Sequence, residues 1–424
     1  MIVNVPQFPW YGDTELELDF PSSWEVVICQ MAGQDAPKLS EEEIQGAFLN
    51  PIGTPRIAQL ARDKKEVVII FDDLSRPTKV AELVPCVLQE LKEGGIKEEN
   101  IRFIASLGAH GAMKLMDFIK KLGPEVLHRF PVYNHNPFEN CTYLGTTSRG
   151  TPVSINSEVM SCDLKIAIGA IVPHPITGFG GGGKSVLPGI AHIDTIEANH
   201  SNLGGLRKPP PGSTVRRPEL AGEMTGNIAR LDMEEAARMA GLNIIVNAVV
   251  NLQRGTIGLF VGDPVAAHRE GVELARRVYA TKTPSEADIV VANCYSKANE
   301  GLIAVPIGRK LLKEEGGDLV IICNIPEGQI CHYLSRSFGK NMGGRCWAPR
   351  TKLPRRAKRM IVLGPYVDRA GLDWLGPPEL VTLANSWSEI LDVLKMSHGD
   401  NARVAVIPDA TIQYFPDSEG EPSR

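Results

Sequence analysis

The stretch GFGGGGKS, residues 178–185 and here called the glycine loop, matches the pattern G-x-x-x-x-G-K-[ST] of phosphate-binding P-loops. A working P-loop follows its strand directly and runs into a helix whose N-terminus faces the phosphate. Here the residues PHPIT separate the loop from the preceding strand-like run, and Pro188 and Gly189 fall where that helix would continue. The match is therefore accidental, and we expect the loop to serve a different chemistry.

The glycine loop places Gly180, Gly181, Gly182 and Gly183 directly before Lys184. Glycines allow a backbone to approach a bulky planar or phosphorylated ligand closely. A lysine in such a loop can anchor a phosphate or, when it is desolvated, act as a nucleophile that attaches a group covalently. A mobile surface loop with a solvated lysine is the alternative interpretation.

Two histidines directly follow strand-like runs: His110 in SLGAHGAM and His174 in IVPHPITG. In an open α/β sheet the ligand crevice lies beyond the carboxyl ends of the strands, so both rings can face one site. An imidazole titrates near neutral pH, and two of them can act as acid and base on opposite faces of a substrate. A structural role remains the alternative for each.

A third strand-like run ends in the turn FDDLSRPTK, which contains Asp72, Asp73 and Arg76. The arginine fork suits a substrate carboxylate, and an aspartate can orient a catalytic histidine. A helix-capping aspartate with a surface ion pair is the alternative.

His200 ends the segment IAHIDTIEANH, which is predicted to be helical. The spacing Glu197-x-x-His200 matches half of a di-iron motif, but that motif needs a second copy and further glutamates. Spacing alone therefore leaves open whether His200 binds a metal or is structural.

The composition is that of an ordinary globular protein: 424 residues, 43% hydrophobic and 22% charged, with a net charge of −5. This charge argues against binding to nucleic acid or to an anionic membrane surface. With neither a secretory signal nor a membrane-spanning run visible, we expect a cytoplasmic protein. The eight cysteines form no C-x-x-C pair, which favours reduced thiols over zinc or disulfide sites.

Short apolar runs alternate with amphipathic stretches, a pattern typical of largely parallel sheets covered by helices. Buried strands are predicted at 66–71, 101–106, 164–172 and 242–250. After the linker-like segment 281–286, TKTPSE, the pattern restarts.

We therefore predict two α/β domains with the active site in the cleft between them. Residues 1–280 would form the catalytic, cofactor-binding domain and residues 287–424 a smaller one. The proline-rich stretch 206–219 is predicted to be an exposed loop, because proline fixes φ and lacks a donor.

The segments DDLSRP, GAHG and PHPITGFGGGGKSVLPGIA, followed by a further histidine, occur in this order. Together they resemble the nickel-pincer lactate racemase family. The resemblance implies a nickel-pincer nucleotide, in which a nicotinic-acid-derived mononucleotide holds Ni(II) through one carbon and two sulfur atoms. It implies that Lys184 tethers this cofactor as a thioamide and that His200 completes a roughly square-planar set suited to Ni(II).

The same resemblance implies roles for the other candidates. His110 and His174 would be the acid/base pair, and Asp73 and Arg76 would line the substrate site. The four glycines and Asp72 are expected to contact the cofactor. Cofactor-synthesis proteins would be the partners that load it.

The implied reaction is the racemisation or epimerisation of a 2-hydroxy acid. Removing the α-hydrogen as a proton would create a dianion of very high energy, whereas hydride loss gives a planar 2-keto acid. One histidine would take the hydroxyl proton as hydride leaves, and the other would act as hydride returns to the opposite face.

The segment CYSKANEGL offers Lys297 and Glu300 where lactate enzymes present the pair Q-x-x-K. Lys297 is expected to contact the substrate. The changed pattern predicts a 2-hydroxy acid other than lactate, larger or more polar.

Two other functions remain open. A zinc- or iron-dependent hydrolase or lyase could use His110, His174 and His200 as ligands. A non-catalytic protein could bind the cofactor, although it would not need two proton-transfer groups.

Overall fold

The computed structural model describes residues 1–206, 222–366 and 368–416. The chain divides into two compact units, one of Asp35–Arg277 and the other of Met1–Gln34 together with Val278–Arg424. Apart from its first residue, the stretch 206–219 lies outside the described residues.

The described residues form twenty strands and twelve α-helices. The strands are β1 (Ile2–Gln7), β2 (Thr14–Asp19), β3 (Glu25–Ile28), β4 (Val67–Phe71), β5 (Ile101–Ala105), β6 (Val132–Asn134), β7 (Cys141–Thr146), β8 (Pro152–Asn156), β9 (Leu164–Ala170), β10 (Pro173–His174), β11 (Gly178–Phe179), β12 (Ile244–Val250), β13 (Thr256–Gly262), β14 (Ile289–Asn293), β15 (Gly317–Ile322), β16 (Ser337–Gly339), β17 (Met342–Gly343), β18 (Ala357–Leu363), β19 (Val381–Ala384) and β20 (Arg403–Ile407). The α-helices are α1 (Glu41–Leu49), α2 (Ile57–Leu60), α3 (Val80–Glu93), α4 (Leu115–Leu122), α5 (Pro124–Arg129), α6 (Ser157–Met160), α7 (Ile193–Glu197), α8 (Ile228–Met239), α9 (Ala266–Tyr279), α10 (Ala304–Lys310), α11 (Leu372–Leu375) and α12 (Trp387–His398).

The unit Asp35–Arg277 contains a six-stranded sheet in the order β13-β12-β9-β4-β5-β6. Its neighbours are parallel except β12 and β13, which are antiparallel. Every residue of β4, β9 and β12 is buried, as expected for parallel strands covered on both faces. The sheet therefore presents the carboxyl ends of its central strands at one edge.

Local sequence explains the helices beside this sheet. In α3 the buried positions Val80, Leu83, Val84, Val87 and Leu91 recur at helical spacing and join the core. The helix ends before a glycine pair whose second member has φ +86°, a left-handed conformation that glycine adopts without strain.

The second unit has a six-stranded, fully parallel sheet in the order β19-β18-β15-β14-β20-β3. Its edge strand β3 comes from the N-terminus, and the hairpin β1–β2 contributes Val3, Val5, Leu18 and Phe20 to its core. The first 34 residues thus belong to this unit and not to the first, where we had expected them. The second boundary falls at Val278, before the expected linker at 281–286.

The predicted fold class, two α/β units with largely parallel sheets, is confirmed. Among the described residues, no helix combines the length and the apolar character needed to cross a membrane.

Candidate active site

Three candidate loops leave the same sheet edge in the unit Asp35–Arg277. β4 lies between β5 and β9, and the three strands are parallel, so their carboxyl ends are neighbours. Asp73 follows β4, His110 follows β5 and His174 follows β9 across a short connection.

Asp73 and His110 form a buried pair. Nδ1 of His110 donates to Oδ2 of Asp73 at 2.6 Å, and the residues are 8% and 4% exposed respectively. The other carboxylate oxygen accepts from the backbone N–H of Ser75 at 3.0 Å and from its hydroxyl. Asp73 therefore fixes the orientation and the tautomer of the imidazole.

Burial alone would raise the pKa of Asp73, but the charge and hydrogen bond of His110 outweigh it, helped by the charge of Arg76 and the hydroxyl of Ser75. The net effect lowers the pKa of Asp73 to about 2. The carboxylate is therefore ionised throughout the neutral range.

Arg76 remains partly exposed at the end of this turn. One of its nitrogens donates to the backbone oxygen and the hydroxyl of Ser75, both at 2.8 Å. A guanidinium fixed in this way presents a preorganised fork of donors, the geometry that suits a carboxylate.

Asp72 faces a different partner from its neighbour Asp73. Its Oδ1 lies 2.6 Å from Nζ of the fully buried Lys121, and its Oδ2 accepts from the Thr78 hydroxyl (2.7 Å) and from the backbone N–H of Ala170 (3.2 Å). Burial raises the pKa of Asp72 and lowers that of Lys121. These contacts tie Asp72 to α4 and β9, and its expected contact with the cofactor stays a prediction.

His174 lies in the small antiparallel hairpin β10–β11. Its Nδ1 accepts the backbone N–H groups of Ile176 (3.2 Å) and Thr177 (3.3 Å). Because Nδ1 is an acceptor, the proton of the neutral ring lies on Nε2. The two candidate acid/base residues thus have opposite tautomers.

The glycine loop does not have P-loop geometry. After β9 the chain forms β10 and β11 and then a 3₁₀ turn, Gly182–Ser185, which contains Lys184. The next α-helix, α7, begins only at Ile193. The loop therefore lacks the strand and helix arrangement that cradles a nucleotide phosphate.

Three buried side chains that sequence reasoning missed hold the backbone of this loop. Arg230 on α8 donates to the carbonyls of Thr177 (3.4 Å), Phe179 and Gly181 (2.9 Å). Asn247 in β12 accepts from the N–H of Gly182 at 2.7 Å, and Nε2 of His268 on α9 donates to the carbonyl of Gly180 at 2.8 Å. Only Asn247 had a signal in the sequence, because it interrupts an otherwise apolar strand.

The glycines of the loop are needed for its packing. Gly181 and Gly182 have φ of +75° and +60°, and a Cβ on Gly181 would lie 2.6 Å from the side chain of Asn247. A Cβ on Gly183 would lie 2.9 Å from the carbonyl oxygen of Met233 on α8. Close packing against protein atoms thus explains these glycines, and the alternative of a mobile surface loop does not fit.

His200 lies in a π-helical turn, Ala198–Leu203, that continues α7. It is 7% exposed. The preceding residue, Asn199, donates to Oδ2 of Asp232 (2.8 Å) and to the carbonyl of Ala229 (3.2 Å), both on α8. π-Helical turns are rare and frequent at functional sites.

The site segments also pack on one another. The backbone N–H of Gly108, in the loop after β5, donates to the carbonyl of Gly189 at 2.8 Å, just beyond the glycine loop. A Cβ on Gly204, just after the π-helical turn, would lie 2.5 Å from the side chain of Ile176 in the β10–β11 connection. The segments that carry the three histidines and the lysine therefore form one contiguous part of one unit.

Lys297 and Glu300 belong to the other unit, in a 3₁₀ segment before α10. Lys297 is 0% exposed and Glu300 5% exposed. The expected contact of Lys297 with the substrate stays a prediction.

Over the described ranges, no group of three or more His, Cys, Asp or Glu side chains is arranged to hold a metal ion. A zinc or iron site made from the three histidines is therefore not supported. A metal that is held mainly by ligand atoms of an organic cofactor, with one protein imidazole, does not need a cluster of three protein ligands.

Comparison with known proteins identifies relatives over most of the chain. Residues 11–208 match the model of the lactate racemase N-terminal domain. Lactate racemase from Lactiplantibacillus plantarum is 30% identical over 404 residues, 88% of this chain and 90% of that protein. Lactate racemase from Thermoanaerobacterium thermosaccharolyticum is 33% identical over 287 residues, 67% of this chain and only 65% of that protein.

Solved structures show the same fold. The lactate racemase apoprotein from Thermoanaerobacterium thermosaccharolyticum aligns with a TM-score of 0.70 at 24% identity, over 97% of this chain and 99% of that chain. A protein from Thermotoga maritima aligns with a TM-score of 0.62 at 19% identity, over 89% of this chain and 98% of that chain.

Proposed function

Since this chain belongs to the lactate racemase family, we propose that it is a racemase or epimerase of 2-hydroxy acids that works by reversible hydride transfer. This membership confirms the family resemblance of the sequence motifs. One observation supports the activity above all: a histidine held by a buried, ionised aspartate lies in the unit that also carries a second candidate histidine and a braced lysine loop.

The two histidines can have different parts in the proton transfer. With Nδ1 of His110 donating to Asp73, Nε2 is the basic nitrogen and would accept the hydroxyl proton as hydride leaves the substrate carbon. The ring proton of neutral His174 lies on Nε2, since Nδ1 accepts two backbone N–H groups, so this N–H can donate a hydrogen bond to the carbonyl oxygen of the keto acid. As hydride returns to the opposite face, the proton held by His110 would go back to that oxygen, which inverts the stereocentre and leaves both rings neutral.

Lys184 and His200 suit the nickel-pincer nucleotide. A primary amine can form the thioamide tether, and one imidazole can complete the coordination of Ni(II). Both residues lie on segments that pack against α8. When bound, this cofactor would supply the hydride acceptor and donor.

The substrate carboxylate is assigned to Arg76, whose fork is held by Ser75 beside the Asp73–His110 pair. Orientation by a fixed guanidinium brings the hydroxyl group toward the basic nitrogen of His110. Lys297 is proposed as a further contact to the substrate, and its place in the sequence, where lactate enzymes present another residue, favours a 2-hydroxy acid other than lactate.

The test is a chiral assay of a panel of 2-hydroxy acids, using protein made together with the cofactor-synthesis proteins. We expect inversion of at least one acid, a mass addition on Lys184, and neither in Lys184→Ala. The exposed Lys64→Ala variant should behave as the wild type. Normal inversion by Lys184→Ala would disprove the tether.

A further inference from the structure

Helix α8 contacts both segments that carry the proposed cofactor residues. Arg230 on α8 donates a hydrogen bond to the glycine loop, and Asp232 on α8 accepts one from Asn199 in the π-helical turn that contains His200. We propose that α8 is a positioning element that sets Lys184 relative to His200, and that Arg230 is its positioning residue for the lysine. This inference rests on the proposed function.

The contacts of Arg230 are unusual for a buried cation. It is 1% exposed, and its guanidinium donates to three main-chain carbonyls of one short segment, at Thr177, Phe179 and Gly181. Burial lowers the pKa of Arg230 to about 10, partly offset by Glu234, so the guanidinium stays charged at neutral pH. Charge-assisted hydrogen bonds are about twice as strong as neutral ones, so this one side chain braces the loop immediately before Lys184.

The same helix holds the second segment through Asp232. This fully buried carboxylate accepts from the hydroxyls of Thr147 (2.6 Å) and Thr151 (2.7 Å) and from the side-chain amide of Asn199 (2.8 Å). Asn199 directly precedes His200 in the chain. Asp232 on α8 therefore also holds the segment that carries the His200 imidazole.

Backbone packing makes the link rigid. The absence of a side chain on Gly183 lets the loop lie against the backbone of α8, where a Cβ would come within 2.9 Å of the Met233 carbonyl oxygen. A cofactor that is attached to Lys184 and bound by His200 would bind best if the empty protein already held these two side chains at the required separation. Preorganisation of this kind lowers the cost of binding.

The experiment compares Arg230→Met and Arg230→Lys with Arg238→Met, an exposed arginine near the end of the same helix. Amide hydrogen exchange of residues 178–185 is measured in the apoprotein by mass spectrometry. We expect exchange about tenfold faster in Arg230→Met, because the charged hydrogen bonds that close the loop are lost. Arg230→Lys should be intermediate, since an ammonium cannot reach all three carbonyls, and Arg238→Met should match the wild type.

The second measurement is the fraction of Lys184 that carries a mass addition when the cofactor-synthesis proteins are present. This fraction should fall several-fold in Arg230→Met and recover in part in Arg230→Lys. If the loss came from general destabilisation, restoring the positive charge with lysine would not restore the mass addition. Wild-type exchange of the loop in a folded Arg230→Met would overturn the proposal. If Arg230→Met does not fold, wild-type exchange in Arg230→Lys would overturn it.

The two proposals can fail separately. Absence of any mass addition on Lys184 in the wild type would refute the proposed function. The exchange rates of the apoprotein would still decide whether Arg230 holds the loop.

Discussion

The carboxylate of Asp73 decides which nitrogen of His110 is basic. A neutral imidazole whose Nδ1 donates to a carboxylate has its lone pair on Nε2. His174, with two backbone N–H groups directed at Nδ1, has the opposite arrangement. The two neutral rings thus differ in tautomer: His110 offers a lone pair at Nε2, and His174 offers an N–H there.

Asp73→Asn should therefore impair proton transfer while it preserves the shape of the site. An amide can donate to Nδ1 and so place the ring proton on Nε2, which removes the base. We expect kcat to fall by about 10²–10⁴ with a smaller change in KM. Steady-state kinetics of the loaded enzyme measures this.

The matched control for this variant is Asp63→Asn, an exposed aspartate in the same unit, which should leave kcat unchanged. A kcat of Asp73→Asn within a factor of two of the wild type would show that Asp73 does not control the tautomer.

Sequence alone could predict where these residues lie but not all of their partners. Strand ends are visible as the end of an apolar run, so Asp73, His110 and His174 could be identified as neighbours at one sheet edge. Adjacent residues on an extended chain point in opposite directions, and nothing local tells which of Asp72 and Asp73 faces the histidine. The long-range hydrogen bonds of Arg230 leave no local pattern.

At the scale of elements, α4 and the turn after β4 are joined by a buried ion pair. Lys121 on α4 contacts Asp72 and also donates to the carbonyl of Arg76 at 3.1 Å. Its replacement by methionine leaves the Asp72 carboxylate buried without a cation. We expect Lys121→Met to lose about 3–5 kcal/mol in the free energy of unfolding.

The double variant Lys121→Met with Asp72→Asn tests this explanation. Replacing both charges should cost less than Lys121→Met alone, because no unpaired charge remains buried. Urea denaturation measures each free energy, with Lys120→Met as the neighbouring control, expected within about 0.5 kcal/mol of the wild type. A double variant as unstable as the sum of its single variants would contradict the pairing.

Elements with a clear period were predictable and irregular ones were not. The buried runs and α3 follow from apolar spacing, and Asp263 caps α9 by accepting from the N–H of Val265 and Ala266 at 2.9 Å. The short connection between β12 and β13 requires an antiparallel pair, since a parallel crossover needs a dozen or more residues. The π-helical turn has no sequence signature.

At the scale of the whole molecule, a buried histidine makes stability depend on pH. Burial lowers the pKa of His135 to about 4, against a weaker opposing effect of its hydrogen bond with the Ala191 carbonyl. Between about pH 6.5 and 4, His135 is protonated in the unfolded chain but stays neutral in the folded chain. Stability therefore falls as the pH drops from about 6.5 to 4, by up to about 1.4 kcal/mol per pH unit for this residue.

Denaturant unfolding at several pH values between 4 and 6.5 measures this slope. His135→Gln should reduce it, since glutamine cannot take up a proton, while the exposed His128→Gln should not. An unchanged slope in His135→Gln would show that His135 is protonated in the folded state.

The pairing of β3 with β20 joins opposite ends of the chain, and no local pattern reveals such a contact. It makes the N-terminal 34 residues part of the second unit. Four side chains from β1, β2 and the residue after them, Val3, Val5, Leu18 and Phe20, are at most 3% exposed. Each contributes about 1.5–3 kcal/mol by burial, so their sum approaches the whole stability of a typical domain.

Residues 278–424 alone should therefore lack a cooperative thermal transition, because one face of their sheet loses this cover and one edge loses β3. Adding a peptide of residues 1–34 should restore the transition, with a midpoint that rises with peptide concentration. Residues 35–277, which hold a core of their own, should unfold cooperatively without either piece. Calorimetry of the three samples is decisive: a cooperative transition of 278–424 that the peptide does not shift would mean that the N-terminal strands add nothing to that unit.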